Sequence, residues 1–268
     1  MSARRHRYDE IGRQDESLRR RTTFDENNRR IDPIFGPEVD TVISPASIPN
    51  LLAWYEARDL TLAEAATVTS WSDKSTNGRT LTPNAGTQTF QTFNGWPSVR
   101  MATGSSVGLV TAYDFAGNDH DGFTAFAVAS VYPGGANPGP FITASDLGGS
   151  FHGGIFLANG RWAYDSNWWG SPLVMDERHL IVSTAFDDGN RTLQLYDGGV
   201  RVVNGSYSGG FAWSGLTHLA LINQGLRIEA AAWYTRQLTQ LERAEVTTYF
   251  ASEFRIPLGA YAVGANSF

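Results

Sequence analysis

Between Phe151 and Trp169 the sequence gathers flat apolar side chains and short polar ones: Phe151-His152, Trp162, Tyr164, Asp165, Asn167, Trp168 and Trp169. Sugar recognition uses that mixture, because an aromatic face covers the C–H side of a pyranose while carboxylate and amide groups bind its hydroxyls. Trp168-Trp169 stands between Asn167 and Gly170-Ser171-Pro172, which reads as a loop, where large aromatics are less often core. Tyr164, Asp165, Asn167, Trp168 and Trp169 are therefore the glycan-binding candidates. The competing role is packing, with one tryptophan closing the end of a domain and the other resting on a neighbouring subunit.

Glycoside hydrolysis by retention needs two carboxyls about 5–5.5 Å apart. On one face of one strand that means i, i+2 or i, i+4 spacing. No strand-like stretch carries such a pair, and the close acidic groups Asp187-Asp188 and Asp176-Glu177 fall in turns or strand leads. No Gly-x-Ser-x-Gly elbow surrounds a serine. The expectation is a protein that is not an enzyme. For metal, Asp114, Asn118, Asp119 and Asp121 before Gly122 offer oxygen ligands of the kind calcium takes, but without the spacing of a calcium loop. Asp187, Asp188 and Asn190 flank a hairpin turn and read as turn chemistry. Histidines 120, 152, 179 and 218 are not spaced as zinc ligands. No resident cofactor or metal is expected, calcium at Asp114–Asp121 being the one alternative left open.

The elements that must position these residues read as strands. Phe123 to Tyr132 is apolar on both faces, as a central strand is. Asn159-Gly160 joins Gly154–Leu157 to Arg161–Tyr164 with the strongest short hairpin signal. Residues 187–191 join His179–Phe186 to Thr192–Tyr196, and Asp197-Gly198-Gly199 turns into Val200–Val203. Leu219–Ile222 and Leu226–Trp233 are further strands, whereas Gly134–Gly149 reads as a loop. Thr239 with Glu242 three positions on is a capping box, and Val246, Tyr249, Phe250 and Phe254 recur at helical spacing up to Pro257.

The two ends of this region carry a resemblance. Leu51-Leu52-Ala53-Trp54-Tyr55-Glu56-Ala57 is followed by Val68-Thr69-Ser70-Trp71-Ser72-Asp73-Lys74-Ser75-Thr76-Asn77-Gly78. Ile228 to Gln237, with Trp233-Tyr234, leads into Leu238-Thr239 and Glu242-Arg243. Together with the Asn94-Gly95-Trp96-Pro97 turn ahead of Ser98–Ala102, they resemble the opening and closing of laminin-G-like, concanavalin A-like lectin/glucanase jelly rolls, notably those of phage virion proteins. The resemblance implies an all-β, two-sheet antiparallel jelly-roll sandwich with one short C-terminal helix. It also implies a structural virion part, such as a minor tail protein, fibre or capsid decoration, with a free lectin or a glycoside hydrolase as the alternatives.

Composition agrees with an all-β reading. The 268 residues include 28 Gly, 15 Phe, 10 Tyr and 8 Trp, and no cysteine, so neither disulfides nor thiolate metal sites contribute. A net charge of −6 argues against a general nucleic-acid binder, and no apolar run approaches the roughly 20 residues that span a bilayer. Residues 1–38 hold 9 Arg and 8 acidic residues around sparse apolar anchors, Ile11, Leu18, Phe24 and Ile31. Such a stretch cannot bury enough surface to order itself. The expectation is therefore an extended assembly arm and Pro-rich linker over residues 1–45, docking on other virion proteins in a homo-oligomeric assembly. The jelly roll would occupy 46–257, ahead of a small-residue-rich tail at 258–268, and would face host cell-surface glycan.

Overall fold

The computed structural model describes residues 42–101, 108–115, 122–131, 139–147, 151–158, 161–164, 168–172, 177–186, 192–206, 213, 215–221 and 225–258. The anchors Ile11, Leu18, Phe24 and Ile31 and the tail beyond Leu258 lie outside these residues. The chain divides between Val42 and Ile43, and the fold described here is that of the second unit.

Two antiparallel sheets form a sandwich. Its strands are β1 (Leu51–Glu56), β2 (Thr82–Pro83), β3 (Thr89–Phe93), β4 (Trp96–Arg100), β5 (Leu109–Ala112), β6 (Gly122–Val131), β7 (Gly139–Ser145), β8 (Phe151–Ala158), β9 (Arg161–Tyr164), β10 (Trp168–Pro172), β11 (Arg178–Phe186), β12 (Thr192–Asp197), β13 (Val200–Ser206), β14 (His218–Leu221) and β15 (Leu226–Tyr234). The larger sheet runs β13-β12-β11-β6-β15-β4-β3, with β1 also pairing with β15; the smaller runs β10-β9-β8-β7-β14-β5-β2. One helix follows, α1 (Gln240–Phe254).

β6 is buried at every position. Phe123, Ala125, Ala127, Ala129 and Val131 face the space between the sheets, where they meet Leu109, Ile142, Ala144, Ile155, Leu219 and Leu221. Phe126 and Val128 face the other way into a second core, closed by Val246, Tyr249, Phe250 and Phe254 of α1. Alanines at the centre let both layers approach closely.

Local chemistry sets the connections. Asn94 (φ 50°) and Gly95 (φ 82°) both take the left-handed conformation that a two-residue hairpin needs, and Phe93 pairs directly with Trp96 across it. Trp96 and Pro97 thus begin β4, whereas the sequence read them as part of the turn. Gly139–Ser145, read as loop for its glycines, is a strand because Ile142 and Ala144 supply the inner face. At the helix start, Thr239 Oγ1 accepts from the Glu242 amide (3.3 Å) and Glu242 Oε2 accepts from the Thr239 amide (2.9 Å). Arg236 then forks onto the same carboxylate at 2.7 and 2.8 Å.

These contacts rank two substitutions. Phe250→Ala opens a void beneath a fully buried ring and should cost about 3–5 kcal/mol, whereas Thr239→Ala removes one cap for about 1 kcal/mol. Urea unfolding measures both, and equal costs would show that α1 is not integral to the core. The hydrogen bonds from Arg236, and then those from Thr239, hold the Glu242 carboxyl down to about 2, from an ordinary value of 4.5. Its stabilising contribution is therefore present above pH 4.5 and fades as pH falls towards 2. Glu242→Gln should flatten that part of the stability-against-pH curve.

Candidate functional site

The residues from Trp71 to Arg79 form a clasp along β1. Asp73 Oδ1 accepts from the Trp54 amide (2.9 Å) and the Ser75 amide (2.8 Å), while Oδ2 accepts from Ser75 Oγ (2.6 Å) and the Arg79 amide (3.0 Å). Asn77 Nδ2 donates to the carbonyls of Leu51 and Leu52 at 2.7 and 3.0 Å, and the Lys74 amide donates to the Trp54 carbonyl at 2.7 Å. Trp71 is buried and donates its Nε1–H to the Glu56 carbonyl. The segment satisfies a strand edge whose backbone would otherwise be open to another chain. The polar residues of the Trp-x-Asp-Lys-Ser-x-Asn-Gly motif therefore serve the fold.

At the end of β1, Glu56 is fully buried and saturated. Its Oε1 accepts from Trp54 Nε1 (3.1 Å) and Tyr249 Oη (3.0 Å), and its Oε2 from Arg58 Nε (2.7 Å) and Lys74 Nζ (2.6 Å). Arg58 continues to Glu253 Oε2 (2.7 Å), and Lys74 to Asp59 (3.0 Å). Lys74 Nζ also lies 4.5 Å above the Trp54 ring. Burial, and then the nearby Glu56 charge, raises the Tyr249 phenol, so it stays a donor. A second buried carboxylate, Glu229, sits where the β6–β15 register slips between Ile228 and Ala230. Arg178 binds it through Nε to both oxygens (2.8 and 2.9 Å) and through a guanidinium NH2 group, and its guanidinium carbon lies 4.4 Å from the Trp96 ring centre. Burial pushes the Glu229 carboxyl up, against the pull of Arg178.

The pairing Glu56↔Ala230 sets Glu56 beside the residue that follows Glu229, on the adjacent strand. Spacing along one strand could not reveal this, because the contact is made across β1 and β15. Glu56 accepts two hydrogen bonds at each oxygen and Glu229 is gripped by the Arg178 fork, so both carboxylates are committed to partners within the fold.

The glycan candidates fall at the outer end of the smaller sheet. Trp168 and Trp169 are in β10 and not in a loop, and Trp168 pairs with Tyr164 and Trp169 with Ala163. Aromatic residues suit a paired strand, and that preference outweighs the turn formers that follow. The hairpin continues inward, with Trp162 opposite Leu157 and Phe156 opposite Ala163, and β8 also carries Phe151 and His152. Tyr164, Trp168 and Trp169 therefore share one hairpin, while Asp165 and Asn167 lie outside the described residues. Of the calcium candidates, Asp114 is exposed and Asn118, Asp119 and Asp121 lie outside the described residues. Among the described residues no group of three His, Cys, Asp or Glu could hold a metal ion, and no helix is long and apolar enough to cross a membrane.

No family model and no curated relative matches the chain. Solved structures do. A Trypanosoma rangeli sialidase in complex with sialic acid is similar over 78% of this chain and 34% of its own, at 14% identity and a TM-score of 0.50. The binding domain of Paraclostridial Mosquitocidal Protein 1 is similar over 76% of this chain and 52% of its own, at 13% identity and 0.50. Domain 4 of AbnA, a GH43 extracellular arabinanase from Geobacillus stearothermophilus, in complex with arabinotriose, is similar over 75% and 98%, at 14% and 0.48. The chain spans about a third of the length of the sialidase. At these identities the likeness is one of fold alone, an all-β sandwich. It corrects the expectation that the chain is not an enzyme, since an enzyme shares the fold and the absence of a same-strand acid pair excludes nothing.

Arg178→Ala should leave the Glu229 carboxylate buried without its cation, at a cost of about 3–5 kcal/mol near neutral pH. The sign of its pH dependence follows from the raised carboxyl. Stability is retained below the ordinary pH 4.5, where the acid is neutral, and is lost as pH rises through the folded-state value. Urea unfolding at pH 4.5 and 7.5 should show a larger cost at the higher pH, and a cost independent of pH would refute this account of the pair.

Proposed function

We propose that this chain is a concanavalin A-like jelly roll that binds carbohydrate through its β9–β10 hairpin, as a structural component of a phage virion. The observation that carries the reading is the meeting of Tyr164, Trp168 and Trp169 on one two-stranded unit at the margin of the smaller sheet. An aromatic face covers the C–H side of a sugar ring, and this hairpin is the described element where such residues gather. The likeness in fold to a sialidase in complex with sialic acid supports the ligand class.

The virion setting rests on the Trp54-Tyr55 and Trp71–Gly78 resemblance and on the charge-dense residues 1–45, which have too little apolar content to fold alone. In this reading residues 1–45 dock on other virion proteins, and the sandwich faces host cell-surface glycan. A site of two or three rings binds weakly. Many copies engaging together gain avidity of about 10² or more without any new contact.

Binding of the multimeric protein to an array of host cell-wall glycans tests the site. Trp168→Ala and Trp169→Ala should each lower binding at least tenfold while leaving the urea midpoint within the range of surface substitutions. Full binding by a folded double variant would refute the hairpin as the site. Release of reducing ends from the same panel, lost on replacing one Asp or Glu, would instead favour a glycoside-cleaving role, which the sialidase likeness brings into view. Deleting residues 1–45 should preserve glycan binding and abolish incorporation into particles, and a free lectin would show neither assembly nor its loss.

A further inference from the structure

We propose that the place where α1 meets Tyr196 of β12 and Arg201 of β13 is an oxyanion site, with Arg243 on its buried side and Arg201 on its solvent side. Arg243, in the first turns of α1, is only 4% exposed, and its guanidinium carbon lies 4.8 Å from the Tyr196 ring centre. One of its NH groups donates to the Leu238 carbonyl (3.2 Å), but its Nε–H is buried without a partner. One helical turn on, the buried Thr247 hydroxyl is also without a partner. Residues four apart share a helix face, so both unmet donors belong to one face of α1.

Arg201 stands opposite Tyr196 in the β12–β13 register and is exposed. Arg243 lies over the Tyr196 ring and Arg201 is its cross-strand partner, while the Tyr196 phenol donates to Gln194 Oε1 at 2.6 Å. Among the described residues no carboxylate pairs with either guanidinium, whereas Arg58, Arg178 and Arg236 each pair with a glutamate. Two like charges thus converge on one neutral ring, and burial, then the Arg201 charge among the further causes, makes the Arg243 cation less favourable than usual.

A buried guanidinium that must donate and has no counter-charge is a standing cost, and an anion removes it. A planar carboxylate or a tetrahedral phosphate or sulfate group suits the Arg243 fork and the Thr247 hydroxyl, with Arg201 completing the clamp. The Arg243 Nε is sealed in the unliganded chain, so the exposed Arg201 side chain swings off Tyr196 to admit the group. The shared chemistry is a small oxyanion, free or carried on an acidic saccharide. The site is separate from the β9–β10 hairpin, so either reading can fail without the other.

The test is a titration of the full chain with inorganic phosphate, and separately with glucuronate, against sodium chloride at matched ionic strength. Thermal midpoint and calorimetric binding are the readouts. Phosphate should raise the midpoint saturably, and Arg201→Ala should weaken its binding at least tenfold while the fold is kept, since Arg201 is exposed. Arg201→Lys should recover part of the loss. Arg243→Gln should abolish saturable binding; if that variant fails to fold, Thr247→Val serves, with weakened binding expected. Glucuronate binding as tight as phosphate would assign the site to carboxylates, and phosphate alone to tetrahedral anions. Equal effects of phosphate, glucuronate and chloride, or an Arg201→Ala response equal to that of the parent, would overturn the proposal.

Discussion

The central strand β6 has no solvent face, and the rest of the sandwich answers to that constraint. A strand apolar on both sides requires a layer on each. The smaller sheet supplies one through Ile142, Ile155, Leu219 and Leu221, and α1 supplies the other through Val246, Phe250 and Phe254. A helix laid on a sheet must be fixed at both ends. At its start the Thr239–Glu242 box and the Arg236 fork hold it. Towards its end Tyr249 and Glu253 are tied through Glu56 and Arg58 to the end of β1. The buried glutamate is thus the point where strand, clasp loop and helix meet.

Edges are the second demand on a sheet of this size. β1 is closed off by the Asp73–Asn77 clasp. Beside β3, Phe90 exchanges backbone hydrogen bonds with Ala65 and Ala66, and the Thr92 amide donates to Glu64 (2.8 Å). These short polar segments supply partners at an edge without adding another long strand, which limits pairing with a second chain.

Much of this organisation is legible in the sequence where one local signal suffices. Asn94-Gly95 dictates its own turn, Thr239 and Glu242 their own cap, and the two-faced run from Phe123 its own burial. The sequence misleads where pairing overrides composition. Gly139–Ser145 and Trp168–Pro172 look like loops because glycine, serine and proline punctuate them, yet both are held in register by neighbours distant in sequence. The placement of Glu56 and Glu229 is illegible for a different reason. It depends on the cross-strand register and on a slip between Ile228 and Ala230, and no spacing along one chain segment encodes either. The candidate hairpin is legible in residue type and not in position, since the aromatic cluster is evident before the strand that aligns it.

The charges separate into two populations, and this bears on where a ligand can act. Around β1 and β15, Glu56 and Glu229 are met by cations in short contacts. A carboxylate so engaged stabilises by holding its partners in place, and recruiting it for a ligand would dismantle the contact that anchors α1. Its site cannot serve both tasks. At the far margin of the larger sheet, Arg201 and Arg243 flank Tyr196 without a counter-charge among the described residues, and at the margin of the smaller sheet Tyr164, Trp168 and Trp169 occupy the outermost hairpin. Removing a contact at that hairpin disturbs neither the clasp nor the helix. Physical economy therefore directs binding to the margins of the two sheets and leaves the centre to folding.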